Sequence, residues 1–102
     1  MITILFHMTV KAGLEEKVAA TAKELMVSTR AYDGCLSYTF YRRTDRPHEF
    51  VLFEQWRDAD ALGAHLARLQ QIFGPPEAGS RLPRTFLDMF EKTEAVRYAS
   101  LK

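Results

Sequence analysis

One cysteine, Cys35, is all that the 102-residue chain contains. An internal disulfide is therefore impossible, which agrees with a reducing compartment. With only three histidines, His7, His48 and His65, and none clustered, the residues for a structural zinc site are missing too. Cys35 is expected to be a small buried hydrophobe, the usual setting of a free cysteine. An excess of one charge is also lacking. The 14 basic and 13 acidic residues nearly cancel, divided 7 against 6 through Val51 and 7 against 7 after it. No electrostatic footprint for nucleic acid or an anionic membrane emerges from such a balance. The longest apolar runs are four to five residues, too short to span a bilayer, and the first residues lack the basic flank and apolar core of a signal peptide. These absences predict a cytoplasmic protein with no nucleic-acid or membrane partner.

What the chain does have is apolar and aromatic content: 47% hydrophobic residues, with seven Phe, four Tyr and one Trp. That is ample for a packed interior. The length suits a single domain over residues 1–102. A domain this short hides only about two-thirds of the surface of its unfolded chain, so self-association would add usefully to its stability.

Residues Ile2 to Val10 alternate, with Ile2, Ile4, Phe6, Met8 and Val10 on one parity and Thr3, Leu5, His7 and Thr9 on the other, which predicts a strand. From Gly13 the period lengthens. Leu14, Val18, Ala22, Leu25 and Thr29 step by three or four, an amphipathic helix that ends before the turn signal Asp33-Gly34. Cys35 to Tyr41 and His48 to Arg57 read as two strands of a hairpin joined by a polar, proline-containing loop whose arginines, Arg42 and Arg43, are expected to be solvated. Asp58 is a candidate N-cap, Asp60 falls in the first turn, and Leu62, Leu66, Leu69 and Phe73 make a second apolar stripe, giving a helix from about Ala59 to about Phe73. Three prolines and two glycines between Gly74 and Pro83 predict an irregular connection of a length that often covers a site. A short helical turn over Arg84 to Phe90 and a closing strand from Lys92 to Ala99 complete the chain.

The order β-α-β-β-α-β is that of an α+β, ferredoxin-like fold, with one antiparallel sheet and both helices on one of its faces. One strand parity is satisfied by those helices. The other is not polar, since Leu5, Val51 and Phe53 point to the uncovered side, whereas a sheet face open to water should alternate cleanly with polar residues. The simplest cover is a second copy of the chain related by a two-fold axis.

Chemistry concentrates between residues 50 and 65. Glu54 and Trp56 lie two apart on a strand and share a face with Phe50 and Leu52, while His65 sits at the edge of the second helical stripe beside Leu62 and Leu66. If that stripe covers the face carrying Trp56, a carboxylate, an indole and an imidazole converge on one apolar space, the usual form of a small-molecule pocket. Tyr38, Phe40, Leu52, Leu62 and Phe73 are the candidate residues around the bound molecule. Each has a plainer role open to it as well: Trp56 and the strand aromatics as core, Glu54 as an ion-pair partner, His65 as a structural histidine, His7 as a structural residue of the opposite parity and His48 as a solvent-facing one.

The pattern Glu-x-Trp-x-Asp-x-x-Ala-Leu-x-x-His, occupied by Glu54, Trp56, Asp58, Ala61, Leu62 and His65, resembles that of the antibiotic biosynthesis monooxygenase family. Asp33-Gly34-Cys35-Leu36-Ser37-Tyr38 and Lys11-Ala12-Gly13 after the first strand are similar to it as well, so that the likeness runs over about residues 1 to 73. The resemblance implies a dimeric α+β barrel with a pocket in each subunit between sheet and helices. It also implies oxidation of a small aromatic phenol or quinol by molecular oxygen, without metal or flavin. A base, an oriented apolar slot and exclusion of water are then what the protein must supply, with His65 as base or hydrogen-bonding group, Trp56 as a stacking wall and Glu54 orienting a nearby group. Two departures bear on the donor set: the chain has no asparagine, and Gln70 stands where relatives often carry a second histidine. These leave open a ligand-binding or stress-response protein of the same fold without oxidative chemistry, and, as a third reading, haem degradation.

Overall fold

The computed structural model describes all residues, 1–102. Its elements are β1 (Ile2–Val10), α1 (Glu15–Thr29), β2 (Cys35–Arg42), β3 (Glu49–Trp56), α2 (Ala59–Phe73), α3 (Arg84–Leu87) and β4 (Phe90–Tyr98). The four strands form one antiparallel sheet in the order β2-β3-β1-β4, so the expected α+β, ferredoxin-like arrangement is present. Strand ends shift by one residue in β2, β3 and β4, and two boundaries shift further. β4 begins at Phe90, two residues before the expected start, because a register shift between Thr9 and Val10 lets Phe90 pair with Val10. The short helix stops at Leu87, leaving Met89 and Phe90 buried as the chain enters the sheet.

The two strand parities separate as their side chains require. Phe6, Met8 and Val10 of β1, Tyr38 of β2 and Phe50, Leu52 and Trp56 of β3 join Val18 and Leu25 of α1 and Leu62 and Leu69 of α2 in one core cluster. Both helices therefore cover the same face. Burial of a large apolar side chain stabilises by about 1.5–3 kcal/mol, which is why the alternating pattern holds each strand in register. The opposite face carries a row in which Phe53 pairs with Leu5 and Leu5 with Val96, with Val51 in the next row beside His7, all but the exposed His7 being half-buried. No helix is long and apolar enough to cross a membrane.

One turn fixes α2 against the sheet. Gly34 has φ +85°, and a Cβ there would stand 2.5 Å from the Ala61 side chain. Only glycine meets both demands. The Arg57 amide donates to the Gly34 carbonyl at 2.8 Å, and the Arg57 guanidinium grips Asp33 through two bonds of 3.1 and 3.2 Å. Asp58 caps α2 by accepting from the Ala61 amide at 2.8 Å. The start of β2, the end of β3 and the start of α2 are thereby tied within a few residues, and this junction sets how α2 lies over Glu54 and Trp56.

The hairpin arginines are paired rather than merely solvated. Arg42 donates to the Pro47 carbonyl at 2.6 Å and to Glu16 of α1 at 3.1 Å, while Arg43 bonds Asp45 and Glu49. Cys35 is half-buried.

Candidate functional site

Under α2 the inner face of the sheet does not close. A cavity of about 290 Å3 remains, walled by Ile4 and Phe6 of β1, Leu52 of β3, Leu62 and Leu69 of α2, and Phe86 of α3, with Tyr38, Glu54 and His65 as its inner polar groups and Arg81 and Arg97 as its basic ones. A mostly apolar hollow with a few convergent polar groups is what a small-molecule site requires.

Glu54 is buried, 7% exposed, because its strand parity points it inward among Phe50, Leu52 and Trp56. Its oxygen Oε1 accepts from the Trp56 indole Nε1–H at 2.7 Å. Burial pushes the Glu54 carboxyl above the usual carboxylate range, and that indole N–H partly opposes the shift. Trp56 has no exposed surface and does not line the cavity. His65 stacks on it instead, ring centroids 4.6 Å apart and planes 25° from parallel, and Tyr38 meets the imidazole edge-on at 5.3 Å. His65 thus forms the wall and Trp56 lies behind it.

At 2% exposure His65 is a core residue rather than one on a helix edge, and its Nδ1 is buried without a hydrogen-bond partner. Burial, followed by the charge of Arg68, lowers its pKa from 6.5 to about 4, so the imidazole is neutral over the physiological range. Burial, then the Glu54 carboxylate, raise the Tyr38 phenol well above its ordinary value, with a partial offset from the Thr29 hydroxyl. Tyr38 therefore stays protonated.

Of the candidates named from sequence, Glu54, His65, Tyr38, Leu52 and Leu62 surround the cavity. Phe40 lies elsewhere, in a shallow groove against Ala19 and Met26 of α1, and Phe73 packs behind Phe86 at 5.4 Å. The connection after α2 does reach the site through Arg81 and Leu82. Arg81, Phe86 and Arg97 escaped the sequence reading because no periodic pattern marks the segments that carry them. No group of three His, Cys, Asp or Glu side chains converges to hold a metal ion.

Similarities to known proteins follow the same outline. The family model for antibiotic biosynthesis monooxygenase matches residues 1–71. A Synechocystis protein of uncharacterised function, sll1783, is 31% identical over 64 residues, 63% of this chain and 44% of its own length. A Bacillus subtilis protein named "Putative monooxygenase YcnE" is 28% identical over 65 residues, 64% of this chain and 68% of its own. The chain thus spans less than half the length of the first of these relatives. Among solved structures, PA3566 from Pseudomonas aeruginosa superposes with a TM-score of 0.77 at 26% identity, over 99% of this chain and 94% of that one. A protein from Nitrosomonas europaea named "Putative antibiotic biosynthesis monooxygenase" does so with a TM-score of 0.80 at 17% identity over the whole of both chains. A match over more than two-thirds of the residues, on the fold and around the carboxylate, indole and imidazole just described, places the chain in the antibiotic biosynthesis monooxygenase family.

Proposed function

We propose that the protein is a cofactor-independent, monooxygenase-like oxidoreductase that oxidises a small aromatic phenol or quinol with molecular oxygen inside the cavity under α2. The observation that carries this reading is the pairing of Glu54 and His65 on the wall of an otherwise apolar hollow. An electron-rich phenol loses its proton, the resulting anion gives one electron to oxygen, and the two radicals recombine at a ring carbon as a peroxide, which takes the proton back and loses water to leave one oxygen atom on a quinone. Two demands fall on the protein: a proton acceptor and a dry, oriented slot.

With its pKa held near 4, His65 is a weak base but a neutral hydrogen-bonding group at all relevant pH. Its Nδ1 is sealed off, so a bound molecule meets the ring through Nε2. Glu54 has Oε1 engaged by Trp56 and Oε2 free of protein partners, and its raised pKa makes it a better proton acceptor than an ordinary carboxylate. We therefore assign the base to Glu54 and the orienting contact to His65. Trp56 acts through both, holding the carboxylate by its N–H and the imidazole by its face. Oxygen uptake by the purified protein with a panel of naphthols, anthrones and quinols tests the reading. Uptake that falls at least about 100-fold in Glu54→Gln supports it, a loss typical of removing a general base. No uptake with any member of the panel, or turnover untouched in both Glu54→Gln and His65→Ala, overturns it.

The working unit in this proposal is a homodimer in the cytoplasm. Leu5, Val51, Phe53 and Val96 form an apolar field on the sheet face away from the helices, and a second copy packed there by two-fold symmetry would shelter all four. A second reading, a small-ligand-binding protein without oxidative chemistry, is favoured by the low basicity of His65. Tight binding of the same aromatics with no oxygen uptake would select it.

A further inference from the structure

Two guanidinium groups line the cavity, and neither has an acidic partner. Arg97 comes from β4, opposite Ile4 on β1, on the inner face of the sheet. Arg81 comes from the connection between α2 and α3. Six ion pairs occupy the surface, and neither residue takes part in any of them or donates a side-chain hydrogen bond within the chain. Both residues are exposed while Glu54, the sole acidic residue lining the cavity, is buried.

Arg81 is held there deliberately by its surroundings. The Gln70 side chain of α2 donates to the Arg81 carbonyl at 2.8 Å and ties the loop to the helix. A Cβ on Gly63 would stand 3.3 Å from an Arg81 terminal nitrogen, so the guanidinium lies directly over the one position of α2 that has no side chain. A glycine inside a helix costs about 0.5–1 kcal/mol relative to alanine. Its φ here is ordinary and so does not require glycine; the space it leaves for Arg81 is the local gain.

We propose that Arg81 and Arg97 form an anion clamp at the mouth of the cavity, and that the molecule bound there is a one- or two-ring aromatic carboxylate, its ring against His65 and its carboxylate on the two guanidiniums. This rests on the same cavity being the reaction site. A planar guanidinium fork matches a carboxylate through paired N–H bonds, and two of them unpaired beside an apolar hollow are the complement of an amphiphile with its charge at one end. The size agrees. At about 290 Å3 the space falls just under the roughly 300 Å3 at which small-molecule pockets start, and suits one or two fused rings.

Calorimetric titration at low salt with 1-hydroxy-2-naphthoate, its methyl ester and 1-naphthol tests the clamp. The acid should bind about tenfold more tightly than the ester or the naphthol, and added salt should erode that preference. Arg81→Gln and Arg97→Gln should each bring the acid to within about threefold of the naphthol, with a smaller change in naphthol binding than in acid binding. Equal binding of acid and naphthol, binding of neither, or a preference that survives in the double variant overturns the proposal. Oxygen uptake separates it from the oxygenase reading. Uptake from naphthol and acid alike, with equal affinities, sinks the clamp and leaves the oxygenase standing; selective acid binding with no uptake from either does the reverse.

Discussion

The strand β3 shows two ways of sheltering apolar side chains. Phe50, Leu52, Glu54 and Trp56 point to the helices and are buried; Val51 and Phe53, between them and no less apolar, are half-buried on the other face. One parity is satisfied inside the chain and spends part of that shelter on a cavity and a buried carboxylate. The other carries Leu5, Val51, Phe53 and Val96, which are half-buried within the chain, and under the proposed self-association its value is cohesive. The difference teaches that hydrophobicity alone does not mark the working face of this sheet; burial of groups that would rather be hydrated does.

Substitutions along that strand should expose the contrast. Trp56→Ala removes a side chain with no exposed surface, together with the stacking floor of His65. It should cost about 3–5 kcal/mol of unfolding free energy, read from denaturant midpoints. Next in size is an effect of pH. His65 is held at about 4 when folded and returns to 6.5 on unfolding, so the unfolded chain takes up a proton first as pH falls. Stability from this group is complete above 6.5 and is lost between 6.5 and 4, up to about 3 kcal/mol. His65→Phe should abolish that slope. Glu54 works in the opposite sense, since its raised carboxyl adds stability at low pH that disappears as pH rises through its folded pKa. Melting temperatures of the wild type, His65→Phe and Glu54→Gln across pH 3.5 to 8 separate the two, and identical slopes in all three would contradict both assignments.

Smaller again is the cost of orphaning the indole. Glu54→Ala leaves the Trp56 N–H buried without an acceptor and should lose about 1–3 kcal/mol, whereas Glu54→Gln keeps an oxygen in place and should lose less. On the outer face the expectation inverts. Phe53→Lys should change the fold little but weaken self-association about 30-fold, measured by sedimentation equilibrium. A wild type that is monomeric at high concentration, or a Phe53→Lys variant that unfolds while its association persists, would erase the contrast between the faces. Val51→Ala, the mildest change, should fall within about 1 kcal/mol of wild type in stability, against about 2–5 kcal/mol for its buried neighbour Leu52→Ala.

The elements with strong periods are legible in the sequence. β1 ends where alternation ends, at Val10, and α2 runs from Ala59 to Phe73 as its stripe and its Asp58 cap predict. Glu54 and His65 were legible as a pair for the same reason, a two-residue step on a strand and a helical stripe that must face it. The edge strand β4 was less so, because an edge strand with only one partner tolerates Glu91, Lys92 and Glu94 in the open and loses its alternation.

Strand parity, helical period, the Asp33-Gly34 turn and the cap at Asp58 determined the order of elements and which side chains go inward, because each depends on neighbours within a few residues. Which inward side chains touch a ligand space was decided only by the tertiary structure. The angle of α2 over the sheet puts His65 between Trp56 and the cavity, turning an expected stacking wall into a support. Chain closure brings Arg81 and Arg97, far apart in sequence and without local pattern, to the lining of one cavity. Such meetings depend on how whole layers pack, a property carried by no short stretch of residues.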